Sequence, residues 1–303
     1  MTADPLLTLF LPVALGIIML GLGLSLRLAD FARVVQFPKP VLVGLVCQLL
    51  ILPVACFFIA TGFGLAPALA VGLMLLAASP GGTSANLYSH LAHGDVALNI
   101  TLTAVNSLIA ILTMPLIVNL SLNHFMAADQ ALPLQFGKVV QVFAIVLGPV
   151  AIGMLIKRQL PTFAARMDKP VKILSGLFLL LIIALAIAKD WDTVVEHAPH
   201  VGLAALVFNL LSLAVGYWVP RMMKLSLRQS IAIGMEIGIH NGTLAIALAL
   251  SPALLNNPTM AIPAALYGFI MFFTAGIFGG LVNRVHGREL TASADEVRSL
   301  PAA

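Results

Sequence analysis

Long apolar stretches separated by short polar connections run along almost the whole chain. Each stretch has about 20 residues or more, which is the length that an α-helix needs to cross the hydrocarbon core of a bilayer. The pattern therefore predicts an all-α polytopic membrane protein with nine transmembrane helices and the lipid bilayer as its surroundings. These helices are expected at residues 6–26, 40–60, 66–91, 95–120, 135–157, 171–189, 199–220, 229–250 and 259–283.

Composition supports this prediction and argues against soluble classes. Hydrophobic residues make up 60% of the chain and charged residues only 9%, whereas a soluble domain carries about 25% charged residues. The net charge of +4 follows from the sorting of Lys and Arg between loops, so it does not indicate a nucleic-acid partner. Cys47 and Cys56 lie nine residues apart in one apolar stretch, and we interpret them as packing residues.

Lys and Arg are distributed unequally between alternate connections. One set of loops, with the C-terminal segment, holds 14 of the 16 basic residues, and the other side holds only Lys138 and Lys189. Cytoplasmic loops are the basic ones, so we expect an N-terminus outside and a C-terminus in the cytoplasm, in the cell (inner) membrane. The polar segment 284–303 is predicted to be a flexible cytoplasmic tail. The first residues lack the basic region of a signal peptide, so residues 6–26 are expected to remain as a helix.

Two of the nine stretches contain sequences that interrupt a helix. Residues 79–86 read Ser-Pro-Gly-Gly-Thr-Ser-Ala-Asn, and residues 233–243 read Ile-Gly-Met-Glu-Ile-Gly-Ile-His-Asn-Gly-Thr. If stretches one to four and six to nine are grouped, each interrupted stretch is third of four, and the groups start on opposite sides. This arrangement indicates inverted repeats with two discontinuous crossing helices, as in secondary transporters. Two unrelated kinks are the alternative, because Gly and Pro are common in membrane helices.

Glu236 lies in the second interrupted stretch, near membrane depth. A carboxylate there costs several kcal/mol unless a partner satisfies it. Glycines on both sides of it loosen the helix and free backbone carbonyls, which is how membrane carriers hold small cations. A structural Glu, paired with a neighbour or held protonated, is the alternative.

Other polar residues fall at related positions of the apolar stretches. Asn99, Thr103 and Asn106 share one helix face, where they either line a site or form hydrogen bonds between helices. Gln48 stands alone in its stretch, as helix-packing residues often do. The first interruption adds Thr83, Ser84 and Asn86, together with carbonyls freed by Pro80. One carboxylate among many neutral oxygens suits a hard monovalent cation such as Na⁺.

With these residues in place, the chain resembles the bile acid:sodium symporter family over nearly its whole length. The resemblance rests on several short segments in combination: Leu15-Gly16-Ile17-Ile18-Met19, Gly23-Leu24, Gln48, Pro80-Gly81-Gly82-Thr83, Gly94-Asp95-Val96-Ala97-Leu98 and Glu236-Ile237-Gly238-Ile239-His240-Asn241. Members are sodium-coupled carriers of organic anions, built from a panel domain and a core domain. The chain begins where the second helix of ten-helix bacterial members lies, so it resembles the nine-helix form.

The resemblance implies positions for ions, substrate and domains. A first sodium site would use Asn86, Asn99, Thr103 and Glu236. A second would use Gln48, Glu236, the carbonyls just after Glu236, and position 240. Thr83, Ser84 and Asn241 would face the substrate. The core domain would include parts of 40–120 and 199–283, and the panel would include 6–26 and 135–189.

The chain departs from the family at two of these positions. Members usually have Gln where this chain has His240, and imidazole nitrogen is a poor ligand for Na⁺. The usual Ala-Ser-Asn after the Gly-Gly-Thr reads Ser84-Ala85-Asn86 here, so a hydroxyl group has moved or is lost.

The leading hypothesis is therefore a secondary active transporter that couples Na⁺ to the symport of an organic anion, bile-acid-like or a small carboxylate, by alternating access. The same carrier driven by protons or by a single Na⁺ is the alternative, because His240 can change its charge near neutral pH. An intramembrane enzyme using Glu236 and His240 is a remote alternative. It would need a second acid or metal ligand within the apolar stretches, and the sequence offers none.

Overall fold

The computed structural model describes residues 13–126, 136–167, 191–251 and 254–299, except positions 14, 15, 18 and 22, together with single positions between 170 and 181. Throughout these residues the regular elements are helices, in agreement with the predicted all-α fold. Short 3₁₀ turns occupy Arg33–Val35 and Pro258–Ala261. The α-helices are α1 Leu28–Ala32, α2 Pro38–Gly62, α3 Pro67–Ala78, α4 Ser84–Leu91, α5 Val96–Phe125, α6 Phe136–Gln159, α7 Trp191–Met222, α8 Leu227–Gly238, α9 Gly242–Leu250 and α10 Ile262–Ser299.

Four helical segments among the described residues are long and apolar enough to cross a membrane. They are Pro38–Gly62, Val96–Phe125, Pro199–Met222 and Pro258–Gly287. These segments coincide with the second, fourth, seventh and ninth predicted stretches, and α6 covers the fifth. Most of the sixth stretch and about half of the first lie outside the described residues. The total of nine, and the division into core and panel, therefore remain predictions.

The last helix is longer than the apolar pattern predicts. We expected a loose tail from residue 284, but α10 continues to Ser299. The segment 284–299 contains Arg, Glu, Leu and Ala, which favour helix, and no proline before Pro301. Polarity marks where the helix leaves the apolar layer, and it does not mark where the helix ends.

Both predicted interruptions are present. α3 ends at Ala78 and α4 begins at Ser84, while α8 ends at Gly238 and α9 begins at Gly242. Pro80 has no backbone N–H and cannot continue a helical ladder, and the residue before a proline is driven into extended backbone. Ser79 accordingly has an extended conformation, with φ −72° and ψ 146°.

The two interruptions meet and pair with each other. Gly81 and His240 form an isolated antiparallel bridge. The Gly82 N–H donates to the Ile239 carbonyl at 2.7 Å, and the Asn241 N–H donates to the Pro80 carbonyl at 2.8 Å. Each break thus satisfies backbone groups that the other leaves unpaired, which a low-dielectric interior requires. We call these paired segments, residues 79–83 and 239–241, the crossover.

Small residues bring α7 and α8 close together just before the break that follows α8. A Cβ atom at Gly216 of α7 would lie 2.7 Å from the Gly234 Cα atom of α8. Such contacts are typical of membrane helices, where close backbone approach replaces the hydrophobic driving force. The packing fixes α8, which carries Glu236.

α2 contains a π-helical turn at Cys47–Ile51. The Leu52 N–H bonds to the Cys47 carbonyl, five residues back, and Pro53 follows without an N–H. Gln48 lies within this turn. Cys47 and Cys56 are free and buried, which confirms that they are packing residues.

Candidate ion site at the crossover

Glu236 is fully buried and lies against the crossover. Its Oε2 accepts a hydrogen bond of 2.6 Å from the Thr103 hydroxyl, which comes from α5. Its Oε1 has no hydrogen-bond partner among the described residues. The carboxyl group also lies so close to Gly81 that any side chain there would overlap it. The acid therefore touches both the polar face of α5 and the first break.

Asn99 and Thr103 face α8 in matching register. The Asn99 amide donates to the Ala232 carbonyl at 2.8 Å, one turn before the bond between Thr103 and Glu236. The two contacts join residues separated by the same interval along the chain, so one face of α5 runs beside one face of α8. The Asn99 Oδ1 remains buried without a partner in the described part of the chain.

Two further asparagines near this face have unsatisfied oxygens. Asn106 is fully buried with its amide beside the Glu236 carboxyl group, and its Oδ1 has no hydrogen-bond partner among the residues described. The Oδ1 of Asn86, on α4 just after the first break, is buried and unpartnered as well. Buried polar groups are normally hydrogen-bonded, so each exception requires an explanation.

Gln48 and His240 meet at the backbone of Ser79. The Gln48 amide donates to the carbonyls of Ala77 and Ser79, at 3.3 and 2.9 Å. His240 Nδ1 lies 3.3 Å from the same Ser79 carbonyl, which can only accept, so this contact places the proton on Nδ1. The Gln48 Oε1 and the His240 Nε2 have no partner within the described residues. Both predicted residues of the second site thus reach the crossover.

A cluster that the sequence did not reveal lies behind His240. The imidazole stacks on Phe208, with ring centroids 5.5 Å apart, and meets the Tyr267 ring edge-on at 5.4 Å. The Gly238 carbonyl, released by the break in α8, accepts hydrogen bonds of 2.9 Å from both Asn209 and Tyr267. Asn209 also bonds the Thr274 hydroxyl. The only signal in the sequence was Asn209, a polar residue in an apolar helix, and the sequence does not indicate which group it bonds.

The residues predicted to face substrate are divided between two positions. Thr83 is the N-cap residue of α4 and lines a cavity, as Asn86 does. Asn241 caps α9, because its Oδ1 accepts from the Leu244 N–H at 3.0 Å. Ser84 and Asn241 are not among the residues that line the cavity. Their contact with a substrate remains a prediction.

The cavity has a volume of about 1210 Å³ and adjoins the ion site. One wall comes from α4 and α5, with Thr83, Asn86 and Ile100 among its residues. The opposite wall comes from residues 24–28 and 151–165. The cavity therefore lies where secondary transporters with discontinuous helices bind their substrates, next to the candidate ion site.

Comparison with known proteins agrees with this architecture. The sodium bile acid symporter family matches residues 12–197, more than half of the chain. This family consists of sodium-coupled transporters, so the match identifies a membrane transporter and not an enzyme. The chain belongs to the sodium bile acid symporter family, and it is a multi-pass membrane protein.

Curated relatives extend the match beyond residue 197. An uncharacterised sodium-dependent transporter of Bacillus subtilis is 27% identical over 85% of this chain and 78% of its own length. A probable chloroplastic sodium/metabolite cotransporter of rice is 29% identical over 84% of this chain and 59% of its own. The rabbit ileal sodium/bile acid cotransporter is 23% identical over 93% of this chain and 82% of its own.

Proposed function

We propose that this protein carries an organic anion across the cell (inner) membrane by symport with Na⁺. The observation that carries the proposal is the Glu236 carboxyl group, buried at the crossover with one oxygen that no described residue bonds. A carboxylate in a lipid-spanning region is stable only with a compensating charge or a proton. Family membership and the names of the relatives make Na⁺ the first candidate for that charge.

The residues around Glu236 fit a sodium ion chemically. Thr103, which bonds Glu236, has a hydroxyl. Asn99 and Asn86, on the two helices α5 and α4 that pack against α8, have amide oxygens that no described residue bonds. A hard monovalent cation takes such oxygens together with one carboxylate, whereas divalent ions usually take more carboxylates. We therefore assign Glu236, Asn99, Thr103 and Asn86 as the first sodium site.

The same arrangement explains how an ion would act on substrate binding. Asn86 belongs to the proposed ion site and also lines the cavity, and Thr83 is the N-cap residue of the same half-helix. An ion that fixes α4 against α8 would therefore shape the cavity wall. Coupling requires that the ion and the anion favour the same conformation, so that each raises the affinity of the other. Movement of the core against the panel would then expose the cavity on the other side.

A screen of thermal unfolding with and without Na⁺ tests the proposal. The purified protein is heated in NaCl or in choline chloride, each with a series of organic anions. Wild type should be stabilised by Na⁺, and more by Na⁺ with a transported anion than by either alone. Glu236→Ala should lose the Na⁺ effect. If wild type unfolds at the same temperature in both salts, sodium coupling through this site is wrong.

His240 supports a second candidate with a different ion count. Its Nδ1 is directed at Ser79, and two aromatic rings enclose it, so it offers a buried imidazole where the resemblance implies a sodium ligand. Because His240 stands where the family usually has Gln, the second candidate is a carrier driven by one Na⁺ or by protons. His240→Gln should then raise the affinity for Na⁺ or the sodium Hill coefficient of transport. Unchanged sodium dependence would count against this candidate.

A further inference from the structure

The cavity beside α4 is lined mostly by apolar side chains and also by a group of basic residues. Thr83, Asn86, Leu87 and His90 line it, and their spacing places them on one face of the half-helix. At about 1.5 Å per residue, the cavity follows α4 for about 10 Å from the crossover toward its C-terminal end. Apolar side chains, including Leu24, Leu26, Met154 and Leu155, make up much of the facing wall.

Three cations line that facing wall near one another. They are Arg27, Lys157 and Arg158. The Lys157 ammonium group donates to the Ser25 carbonyl at 2.5 Å, which brings the end of α6 beside the segment that holds Arg27. No acidic side chain is among the described residues that line the cavity. Asp30, the nearest acid in sequence to Arg27, accepts a hydrogen bond of 2.7 Å from the Arg27 backbone N–H, and its ion pair is with the Arg33 guanidinium.

We propose that Arg27, Lys157 and Arg158 form the head-group site for the substrate, and that the substrate is an amphipathic organic anion. Its charged group lies among these three residues, and its apolar body extends along α4 toward Thr83. This inference rests on the proposed function and adds the substrate class and its orientation. A carboxylate with only two or three carbons would leave the apolar walls of a 1210 Å³ cavity uncovered.

Binding of a matched pair of probes tests the head-group site. Cholate and its methyl ester share one apolar body and differ in the negative charge. Their half-saturating concentrations are measured from the thermal unfolding of the protein in non-ionic detergent. Arg27→Gln and Arg158→Gln should each weaken cholate about three- to tenfold and leave the ester unchanged. Arg166→Gln is the matched control, because Arg166 is exposed nearby and does not line the cavity.

Each outcome separates this inference from the alternatives. If Arg27→Gln and Arg158→Gln weaken both probes equally, or weaken cholate no more than Arg166→Gln does, the head-group site is wrong. An anionic phospholipid has the same chemistry, so the titration is repeated with phosphatidylglycerol present. Competition with cholate would assign the site to lipid and overturn the substrate assignment. A normal Na⁺ effect in these variants would show that sodium coupling stands even if the inference fails.

Asn106 carries a second inference from an independent observation. Its side chain is fully buried beside the Glu236 carboxyl group, and its Oδ1 lacks a partner among the described residues. Leaving a buried polar group unpaired costs about 1–3 kcal/mol, so a purely structural Asn at this position would be unfavourable. It lies on the face of α5 that carries Asn99 and Thr103, close to Glu236. We infer that the Asn106 Oδ1 is a further ligand of the cation held by Glu236.

Asn106→Leu separates a ligand from a packing residue, because the two roles predict opposite effects. Leu has a similar size and no unpaired polar atom, so in Na⁺-free buffer the unfolding midpoint should stay equal or rise. The half-saturating Na⁺ concentration should increase about tenfold. Asn106→Ala, which cannot overpack the site, should give the same loss of Na⁺ affinity.

Thr101→Val is the matched control for Asn106. Thr101 is fully buried on the same helix, but its hydroxyl donates to the Ala97 carbonyl within that helix. We expect no change in Na⁺ affinity for this variant. If Asn106→Leu and Asn106→Ala keep the wild-type Na⁺ affinity, the inference is wrong. If wild type itself shows no response to Na⁺, the proposed sodium coupling fails first.

Discussion

At the scale of single residues, the absence of a side chain at Gly81 matters as much as the presence of one at Glu236. The carboxyl group occupies the space that a Cβ atom at position 81 would need. The glycine therefore allows the acid to approach the first break, and the break offers the acid freed backbone groups. The observed position of the Glu236 carboxyl group therefore requires glycine at position 81.

Gly81→Ala should accordingly disturb the ion site directly. The added methyl group would overlap the Glu236 carboxyl group, so we expect a loss of about 1–3 kcal/mol of stability and most of the Na⁺ effect. Thermal unfolding in NaCl and in choline chloride measures both quantities. Gly268→Ala on α10 is the control, because a Cβ atom there meets no atom within 4 Å. Equal behaviour of the two variants would contradict this account of Gly81.

The sequence predicted some of these residues and could not predict others, for a physical reason. Glu236, Pro80 and Gly82 stand out locally, since an acid or a helix breaker within an apolar stretch is visible in one segment. Asn209 and Tyr267 carry no such mark. Their function depends on the Gly238 carbonyl, 29 residues away from each, and only the packed structure shows that pairing.

At the scale of helices, stretches of apolar sequence were predicted more accurately than their ends. The predicted stretch 95–120 corresponds to α5, which extends to Phe125. The π turn in α2 was not predicted, because it depends on how the Cys47 carbonyl and the Leu52 N–H pair ahead of Pro53. Hydrophobicity determines which segments form membrane helices. Local backbone hydrogen bonding determines where a helix ends or changes from α to π geometry.

The close approach of α7 and α8 leads to a prediction about helix packing. Gly216→Ala would place a methyl group 2.7 Å from the Gly234 Cα atom and from the Ile237 side chain, so α8 would have to shift. We expect a loss of about 1–3 kcal/mol and a weaker response to Na⁺. Unfolding temperatures with and without Na⁺ are the measurement.

Gly202→Ala provides the control on the same helix. A Cβ atom at Gly202 would meet nothing within 4 Å. This variant should unfold at or above the wild-type temperature, since Ala favours helix over Gly. If Gly216→Ala is equally harmless, close packing of α7 on α8 does not hold Glu236 in place.

At the scale of the whole molecule, the cavity lies beside basic residues whose side of the membrane the sequence predicts. Arg27, Lys157 and Arg158 line the cavity, and the distribution of Lys and Arg predicts that they lie on the cytoplasmic side. We therefore expect the cavity to be reached from the cytoplasm in this conformation.

A cysteine in the cavity wall tests that orientation. Leu87 lines the cavity and is 58% exposed, so Leu87→Cys should react with a charged, membrane-impermeant thiol reagent added from the cytoplasmic side. The native cysteines are buried and should stay unlabelled. Leu112→Cys is the control, because Leu112 is 63% exposed on the middle of α5 and does not line the cavity, so lipid should protect it. Labelling of Leu87→Cys only from the opposite side would reverse the orientation.

The hydrogen bonds at the crossover determine which conformational change has a low free-energy cost. Bonds donated by Asn209 and Tyr267 tie α7 and α10 to the Gly238 carbonyl at the second break. Two more, donated by the N–H groups of Gly82 and Asn241, tie the two breaks to each other. Unravelling this junction would give up all four, at about 0.5–1.5 kcal/mol each, in surroundings without water to replace them. Rotation of one cavity wall past the other breaks none of these bonds. We therefore expect the crossover and the helices bonded to it to move as a rigid body during each transport cycle. Bending would be confined to the loops that connect this body to the rest of the chain.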